Sequence, residues 1–321
     1  MQKIYSRATM MSSTKMIEKL KQGIHSLDKS VEPKPVDSDD EPLPYVMDYL
    51  TPALIEEART QLNETDEIRP IALEELKKLI KQDKKLVSIM DDNFLLAFLR
   101  ARKFNVKKAF KLLQNYWQFR KEYRYIYDCS DFDSVKEVIL KPVMGALTHR
   151  DRKGCLVLVF KVGLWDPEVD VYEQVFRAVT GVLVHSITYP ATQVCGYRMI
   201  FDLRGLSWKQ LKMCTPSNIL LMVRSSQYCF PGRYKGFHII SESKLFNIVW
   251  TIASPFLTQK LKTRVMFHGT DTSPLLDYIH PSVLPVEFGG QAEPFENTKW
   301  KDLVDDSTEM VARHLHYGYQ A

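Results

Sequence analysis

Four short, largely apolar runs follow residue 150, and segments of helical character separate them. The runs are Cys155–Phe160, Met199–Asp202, Phe237–Ile240 and Arg264–Phe267. The first run is apolar throughout, which is typical of a buried strand, and the other three are also predicted to be strands. The segments between them, 172–186, 216–226 and 245–253, have the length of helices. This alternation predicts an α/β fold with a largely parallel sheet.

The residues before the first apolar run have a different pattern. Over 50–145, apolar residues recur at three- and four-residue spacing, most clearly between Asn105 and Tyr125, which predicts a small all-helical domain. Residues 1–49 are rich in proline and acids and predict a flexible extension. We therefore predict the α/β domain over 146–292 and a tail over 293–321, with a polar helix from Trp300 to His316.

Composition and cysteine usage narrow the class of protein. Hydrophobic residues make up 45% of the chain and charged residues 26%, as in ordinary globular proteins. No apolar run reaches the roughly 18 residues of a membrane span, and no secretory signal precedes the fold. The five cysteines contain no C-x-x-C pair, which disfavours a disulfide scaffold or a zinc site. A cytoplasmic protein without a metal or cofactor is expected.

Motifs of catalysis are missing from the sequence. It contains no phosphate-binding P-loop, no G-x-S-x-G nucleophile elbow and no dinucleotide-binding glycine pattern. His149 and Asp151 flank a predicted turn, His185 lies on an apolar helix, and Asp202 ends a predicted strand. Structural roles are the commoner ones for such residues. We predict no enzymatic activity and name no catalytic residue.

The charge distribution is more informative than the net charge of +5. Arg100–Arg124 contains nine basic residues and one acid, Glu122, and Pro231–Arg264 contains six basic residues against Glu242. The second segment brackets Leu245–Ala253, which would form a helix that is apolar nearly all round. Such a helix either is buried or closes a cavity and meets a membrane. RNA binding by the first segment is disfavoured because its aromatic residues follow the core spacing.

Several motifs together resemble the CRAL-TRIO lipid-transfer family, in the group of the α-tocopherol transfer protein, cellular retinaldehyde-binding protein and the clavesins. They occur in family order between residues 50 and 292. The motifs are Phe94–Val106, His149–Asp151, Trp165–Pro167, Gln193 with Gly196, Phe201–Leu203, Phe230–Pro231, Pro255–Thr258, His268–Gly269 and Leu284–Gly290. The resemblance implies a helical N-terminal domain and an α/β lipid-binding domain whose cavity is closed by a mobile helical lid, here residues 241–264.

The resemblance also implies two sets of binding residues. In the tocopherol transfer protein a basic cleft binds phosphatidylinositol bisphosphate, and the matching positions are all basic in this chain. They are Arg102, Arg233, Lys235, Lys260 and Arg264. The positions that match the lipid pocket are Phe176, Val179, Leu183, Tyr197, Phe201, Met222, Ser225, Ser226, Phe246, Val249 and Leu257. Val179 and Leu183 replace serines of the tocopherol protein, so vitamin E is not assumed as the ligand.

Two functions remain open on the sequence. The first is an intracellular carrier of one small hydrophobic lipid, tocopherol-, retinoid- or isoprenoid-like, that exchanges its ligand at phosphoinositide-bearing membranes. The second is a phosphoinositide-binding trafficking adaptor of clavesin type, in which the N-terminal extension recruits a partner. Both imply peripheral association with endosomal or plasma membranes and no nucleic-acid partner. The oligomeric state stays undetermined.

Overall fold

A computed structural model describes residues 41–127, 132–297 and 314–319. The predicted extension up to residue 40, and the predicted tail helix up to residue 313, lie outside the described residues. Within the remainder of the predicted extension, Tyr45 and Met47 are buried, and the Tyr45 amide donates to the Thr148 carbonyl over 2.8 Å. This short stretch therefore packs against the body of the protein.

The N-terminal region is helical, and its helices begin where side chains can cap them. Thr51, Asp91 and Asn105 each accept a hydrogen bond from the backbone amide three residues later. The helices are α1 (Pro52–Leu62), α2 (Ile68–Gln82), α3 (Asp92–Ala101), α4 (Val106–Glu122), α5 (Arg124–Tyr127) and α6 (Phe132–Leu140). A two-residue strand, β1 (Leu86–Val87), follows α2. Phe98 and Trp117 are fully buried between α3 and α4.

A five-stranded sheet forms the centre of the second region. Its strands are β2 (Met144–Ala146), β3 (Leu156–Lys161), β4 (Tyr197–Asp202), β5 (Tyr234–Ile240) and β6 (Val265–Phe267), and they lie in this order across the sheet. Strands β3 to β6 are parallel, and β2 pairs antiparallel with β3. The predicted α/β class is therefore confirmed. The sequence analysis did not predict β2.

Helices connect the parallel strands. They are α7 (Tyr172–Ser186), α8 (Pro190–Cys195), α9 (Trp208–Met213), α10 (Pro216–Arg224), α11 (Lys244–Ala253) and α12 (Gln259–Lys262). The helix α10 continues into a π-helical turn over Ser225–Cys229. The end of the chain returns to the helical region, where β7 (Gly318–Tyr319) pairs antiparallel with β1. There, Nδ1 of His314 lies 3.2 Å from the Tyr116 hydroxyl.

The two faces of the sheet have different surroundings. One face, here called the helix face, carries Tyr197, Met199 and Tyr234 and packs in one cluster with α7 and the helical region. The opposite face, here called the closed face, carries Val159 and Ile200. It packs against a segment that includes Leu275, Ile279, Val283, Leu284 and Phe288. Side chains alternate between the faces along each strand, as the pleat requires.

A chain of polar contacts crosses the closed face. The Arg198 Nε donates to an Asp151 carboxylate oxygen over 2.6 Å, and its Nη1 donates to His238 Nε2 over 3.0 Å. Arginine can only donate, so His238 is protonated at Nδ1 and donates to His268 Nε2 over 2.9 Å. Both imidazoles are therefore neutral in this arrangement. Burial and the neighbouring Arg198 charge lower the pKa of His238 well below 6.5, in agreement with the geometry.

Candidate lipid pocket and basic cleft

The helix face brings together several residues of the predicted pocket. Tyr197 and Leu183 are buried in the cluster between β4 and α7, and Val179 and Phe201 pack against it with part of their surface exposed. The rings of Phe201 and Phe160 stack with 4.9 Å between their centroids. These four predicted residues therefore share one apolar region above the sheet.

The lid segment brings together a second group. Phe246 and Leu257 pack with Phe201 around the buried indole of Trp250. Val249 lies on the same helix, α11, and is half-buried. Trp250 is the only buried residue of α11, although the helix is apolar over most of its surface. A helix with this composition that keeps partial exposure on its sides is typical of a surface that contacts a ligand or a bilayer.

Four other predicted pocket residues have different surroundings. Phe176 is buried in a cluster with residues of α4 and α5. Met222, on α10, is 44% exposed. Ser226 lies in the π-helical turn, where its hydroxyl donates to the Met222 carbonyl over 2.9 Å, and Ser225 accepts the Phe230 amide with its carbonyl. The structure does not bring these residues into the cluster around Tyr197.

Several basic residues lie close enough together to affect one another's charge state. Burial and the charges of Arg264, Lys103, Arg233 and Arg102, in that order, lower the pKa of Lys260. Three distant chain segments therefore place Arg102, Lys103, Arg233 and Arg264 within electrostatic reach of Lys260, which makes a group of five cations. We call this group the cation cluster. Lys103 is the member that the sequence analysis missed. It stands beside Arg102, and its backbone φ of 51° belongs to a tight turn directly after α3.

The arginines of the cation cluster are held by backbone oxygens. A guanidinium nitrogen of Arg233 donates to the Val194 carbonyl, and one of Arg264 donates to the Tyr234 carbonyl. Burial is the first cause that lowers the pKa of both arginines. In the described part of the chain, no carboxylate forms an ion pair with either arginine.

Lys235 lies at the margin of this group. Burial and the Arg233 charge lower its pKa. Its Nζ is 3.8 Å from a carboxylate oxygen of Glu57, a long ion pair that links β5 to α1. Lys235 therefore differs from Arg233 and Arg264 in that it forms an ion pair with a carboxylate.

A separate cavity of about 290 Å³ lies between α3, α4, the end of α7 and the C-terminal segment. Phe94, Phe98, Val184 and Phe230 form much of its apolar wall, and Gln193 and His314 add polar groups. None of the predicted pocket residues lines it. Its walls combine residues from distant parts of the chain, including the terminal segment, so local sequence patterns did not reveal it.

The residues considered for catalysis have structural partners. The His185 Nδ1 lies 3.2 Å from the Tyr45 hydroxyl, and Asp202 forms an ion pair of 2.6 Å with Arg204. Across the described ranges, no group of three histidine, cysteine or acidic side chains is placed to hold a metal ion. No helix among the described residues is long and apolar enough to span a membrane.

Comparisons with known proteins agree with this architecture. Residues 140–290 match the CRAL/TRIO domain, and residues 65–137 match the Pinta-like UBA domain. Clavesin-1 of Pongo abelii is 32% identical over 279 residues, which cover 84% of this chain and 77% of that protein. Clavesin-2 of Homo sapiens is 30% identical over 260 residues, which cover 80% of each chain. The lipid-binding domain and these relatives support a role in lipid binding or transfer. The chain belongs to the CRAL-TRIO family.

Proposed function

We propose that this protein carries one small hydrophobic lipid, of tocopherol, retinoid or isoprenoid type, and exchanges it at membranes that contain phosphoinositides. The observation that most directly supports this proposal is the cation cluster at the C-terminal end of the lid segment. Its members come from three chain segments, and the charges of the other four members lower the pKa of Lys260. On this proposal the protein works in the cytoplasm and associates peripherally with endosomal or plasma membranes.

The chemistry of the cation cluster suits a phosphorylated head group. Cations that are partly desolvated and close together repel one another, and a multivalent anion between them relieves that repulsion. Arginine binds phosphate through a bidentate fork, and lysine binds it as a point charge. The cluster contains both types of side chain, so it can contact several phosphate groups of one inositol ring.

The contacts of Arg264 supply a physical link between the head group and the cargo. Its guanidinium binds the carbonyl of Tyr234, the first residue of β5, and Arg264 itself ends the lid segment. A phosphate that binds Arg264 competes for the same N–H donors. Head-group binding would therefore loosen the contact between the lid segment and the helix face, and the lid could open at the membrane surface.

Charge reversal tests the proposal. Lys260 is exposed, so Lys260→Glu leaves the fold intact. We expect this variant to bind vesicles with phosphatidylinositol bisphosphate roughly tenfold more weakly. About 1 kcal/mol of binding free energy is lost for each removed charge, and more for a reversed one. Arg233→Glu with Arg264→Glu should weaken it further. The matched control is Lys78→Glu on the exposed side of α2.

Sedimentation with two kinds of vesicle separates specific binding from general attraction. One kind contains phosphatidylinositol bisphosphate, and the other has the same net charge from phosphatidylserine. The proposal requires a selective loss on the first kind for the cluster variants and none for the control. If Lys260→Glu binds each kind of vesicle as tightly as the unaltered protein does, the proposal is contradicted.

The similarity to clavesins favours a second candidate, a phosphoinositide-binding trafficking adaptor. In that case the head group is the main ligand and the N-terminal extension recruits a partner. Deletion of residues 1–40, which leaves the packed Tyr45 in place, distinguishes the two functions. A carrier keeps its lipid-transfer activity after this deletion, whereas an adaptor keeps head-group binding but loses its cellular location.

A further inference from the structure

Two buried hydrogen-bond donors near the proposed pocket have no partner within the described residues. They are the hydroxyl of Tyr234 and the indole Nε1 of Trp250. Tyr234 is 5% exposed and Trp250 is 7% exposed. Buried hydroxyl and indole N–H groups are almost always hydrogen-bonded in native proteins, so each exception calls for a physical reason.

The Tyr234 side chain lies in the helix-face cluster that also contains the predicted pocket residues Tyr197 and Leu183. Its ring lies on the helix face of β5, 5.9 Å from the ring of Tyr197 and 5.6 Å from that of Phe237, both measured between centroids. Burial raises the pKa of Tyr234, so it remains a neutral hydroxyl that can donate or accept a hydrogen bond.

The neighbouring Tyr197 shows what a satisfied tyrosine is like in the same place. Its hydroxyl lies 3.0 Å from the Ser186 hydroxyl, and it contacts the Leu183 carbonyl at 3.4 Å. The two phenols therefore share an apolar setting but differ in one respect, the hydrogen-bond partner. Because Tyr197 itself belongs to the predicted pocket, the matched control is Tyr45, a buried tyrosine outside the pocket whose hydroxyl lies 3.2 Å from His185 Nδ1.

Trp250 supplies the second donor from the lid. Its indole packs edge-on against Phe267, with 5.3 Å between centroids. Phe201 and Phe237 belong to the surroundings of both Trp250 and the Tyr234 cluster, so the two donors border one continuous apolar region. An indole N–H can only donate, and its partner must therefore be an acceptor.

We propose that Tyr234 anchors the polar end of the cargo and that Trp250 adds a second contact when the lid is closed. The cargo is then a lipid with a neutral hydroxyl or carbonyl oxygen and not a pure hydrocarbon, because only such an oxygen satisfies both donors. Aromatic neighbours offer no counter-charge for a carboxylate. This inference deepens the proposed carrier function and rests on it.

A competition experiment tests the anchor. Lipid-free protein is incubated with phosphatidylcholine vesicles that contain equal amounts of all-trans-retinol and its deoxy hydrocarbon, axerophthene. The bound polyenes are then extracted from the re-isolated protein and quantified by chromatography. We expect the unaltered protein to favour retinol, and Tyr234→Phe to lower that preference by about tenfold, as the loss of one hydrogen bond implies.

A control variant and the melting temperatures distinguish the loss of a ligand contact from a loss of protein stability. Tyr45→Phe should retain the preference for retinol but lower the melting temperature, because its hydroxyl has a partner inside the protein. Tyr234→Phe should melt at the same or a higher temperature than the unaltered lipid-free protein. An unchanged retinol preference in Tyr234→Phe would overturn the anchor while the carrier function stands. If the unaltered protein takes up neither polyene, the result counts against the carrier function and, with it, the anchor.

Discussion

The two faces of the central sheet differ in the burial of their residues and in the hydrogen bonding of their polar groups. On the closed face, Asp151, Arg198 and His238 are buried and hydrogen-bonded to one another. On the helix face, the lid helix keeps partial exposure over most of its apolar residues, and Tyr234 and Trp250 hold donors without partners among the described residues. Buried, paired charges stabilise a surface that stays closed, whereas partial burial and donors without a partner suit a surface that opens and exchanges a ligand.

The largest expected effect comes from the buried ion pair of the closed face. Arg198→Met leaves the Asp151 carboxylate buried without its cation, and we expect a loss of about 3–5 kcal/mol in the free energy of unfolding. Lys209→Met removes the exposed pair with Glu168 and should have a far smaller effect on stability, because solvent screens exposed charges. Urea denaturation measures both. Equal losses would show that the closed face is not set apart by its paired charges.

Substitution of one valine on each side sharpens the comparison. Val159 is fully buried on the closed face, and Val159→Ser should destabilise the protein by about 2–4 kcal/mol. Val249 on the lid is half-buried, and Val249→Ser should cost less than about 1 kcal/mol. The lid variant should nevertheless slow lipid transfer between vesicles. A reversed order of stability losses would assign the rigid core to the lid.

Lowering the pH should reduce the free energy of unfolding gradually, through the histidines of the closed face, and by less than the substitutions above. Burial lowers the pKa of His238 and of His268 below the 6.5 of the unfolded chain. The unfolded chain therefore takes up these protons at higher pH than the folded chain. Their contribution to stability is full above about pH 6.5 and falls as the pH drops toward the folded values, by on the order of 1 kcal/mol for each unit of pKa shift.

Unfolding by urea between pH 5 and pH 7.5 measures this dependence. His268→Gln removes one titrating group while it keeps an oxygen that can accept from His238, so its stability should fall less steeply with acid. His280→Gln, on a residue that bonds to Ser282, is the control and should follow the unaltered protein. The same slope in all three proteins would exclude the His268 ring as a source of acid sensitivity.

Much of the fold was predictable because its signals are local. The helix predicted over 172–186 is α7, and the four parallel strands lie within a few residues of the predicted positions. The pairing of β1 with β7 was not predictable, since two-residue strands carry no periodic signal and these two strands are far apart along the chain.

The site shows the same division. The basic segments were visible as composition, but the approach of Lys103 to Lys260 depends on where the fold places the turn after α3 relative to α12, which no local pattern encodes. Nor could the sequence distinguish Tyr197 from Tyr234, because a hydrogen bond to Ser186 becomes apparent only in the folded chain. The assignment of individual pocket residues therefore remains a prediction.

The central claim is that the helix face holds one lipid. The most direct test is mass spectrometry of the organic extract from full-length protein purified out of eukaryotic cells. We predict a single enriched hydrophobic lipid, near one molecule for each protein chain, that carries a hydroxyl or carbonyl oxygen. Folded protein that yields no enriched lipid, even after exposure to candidate lipids in vesicles, would contradict the account.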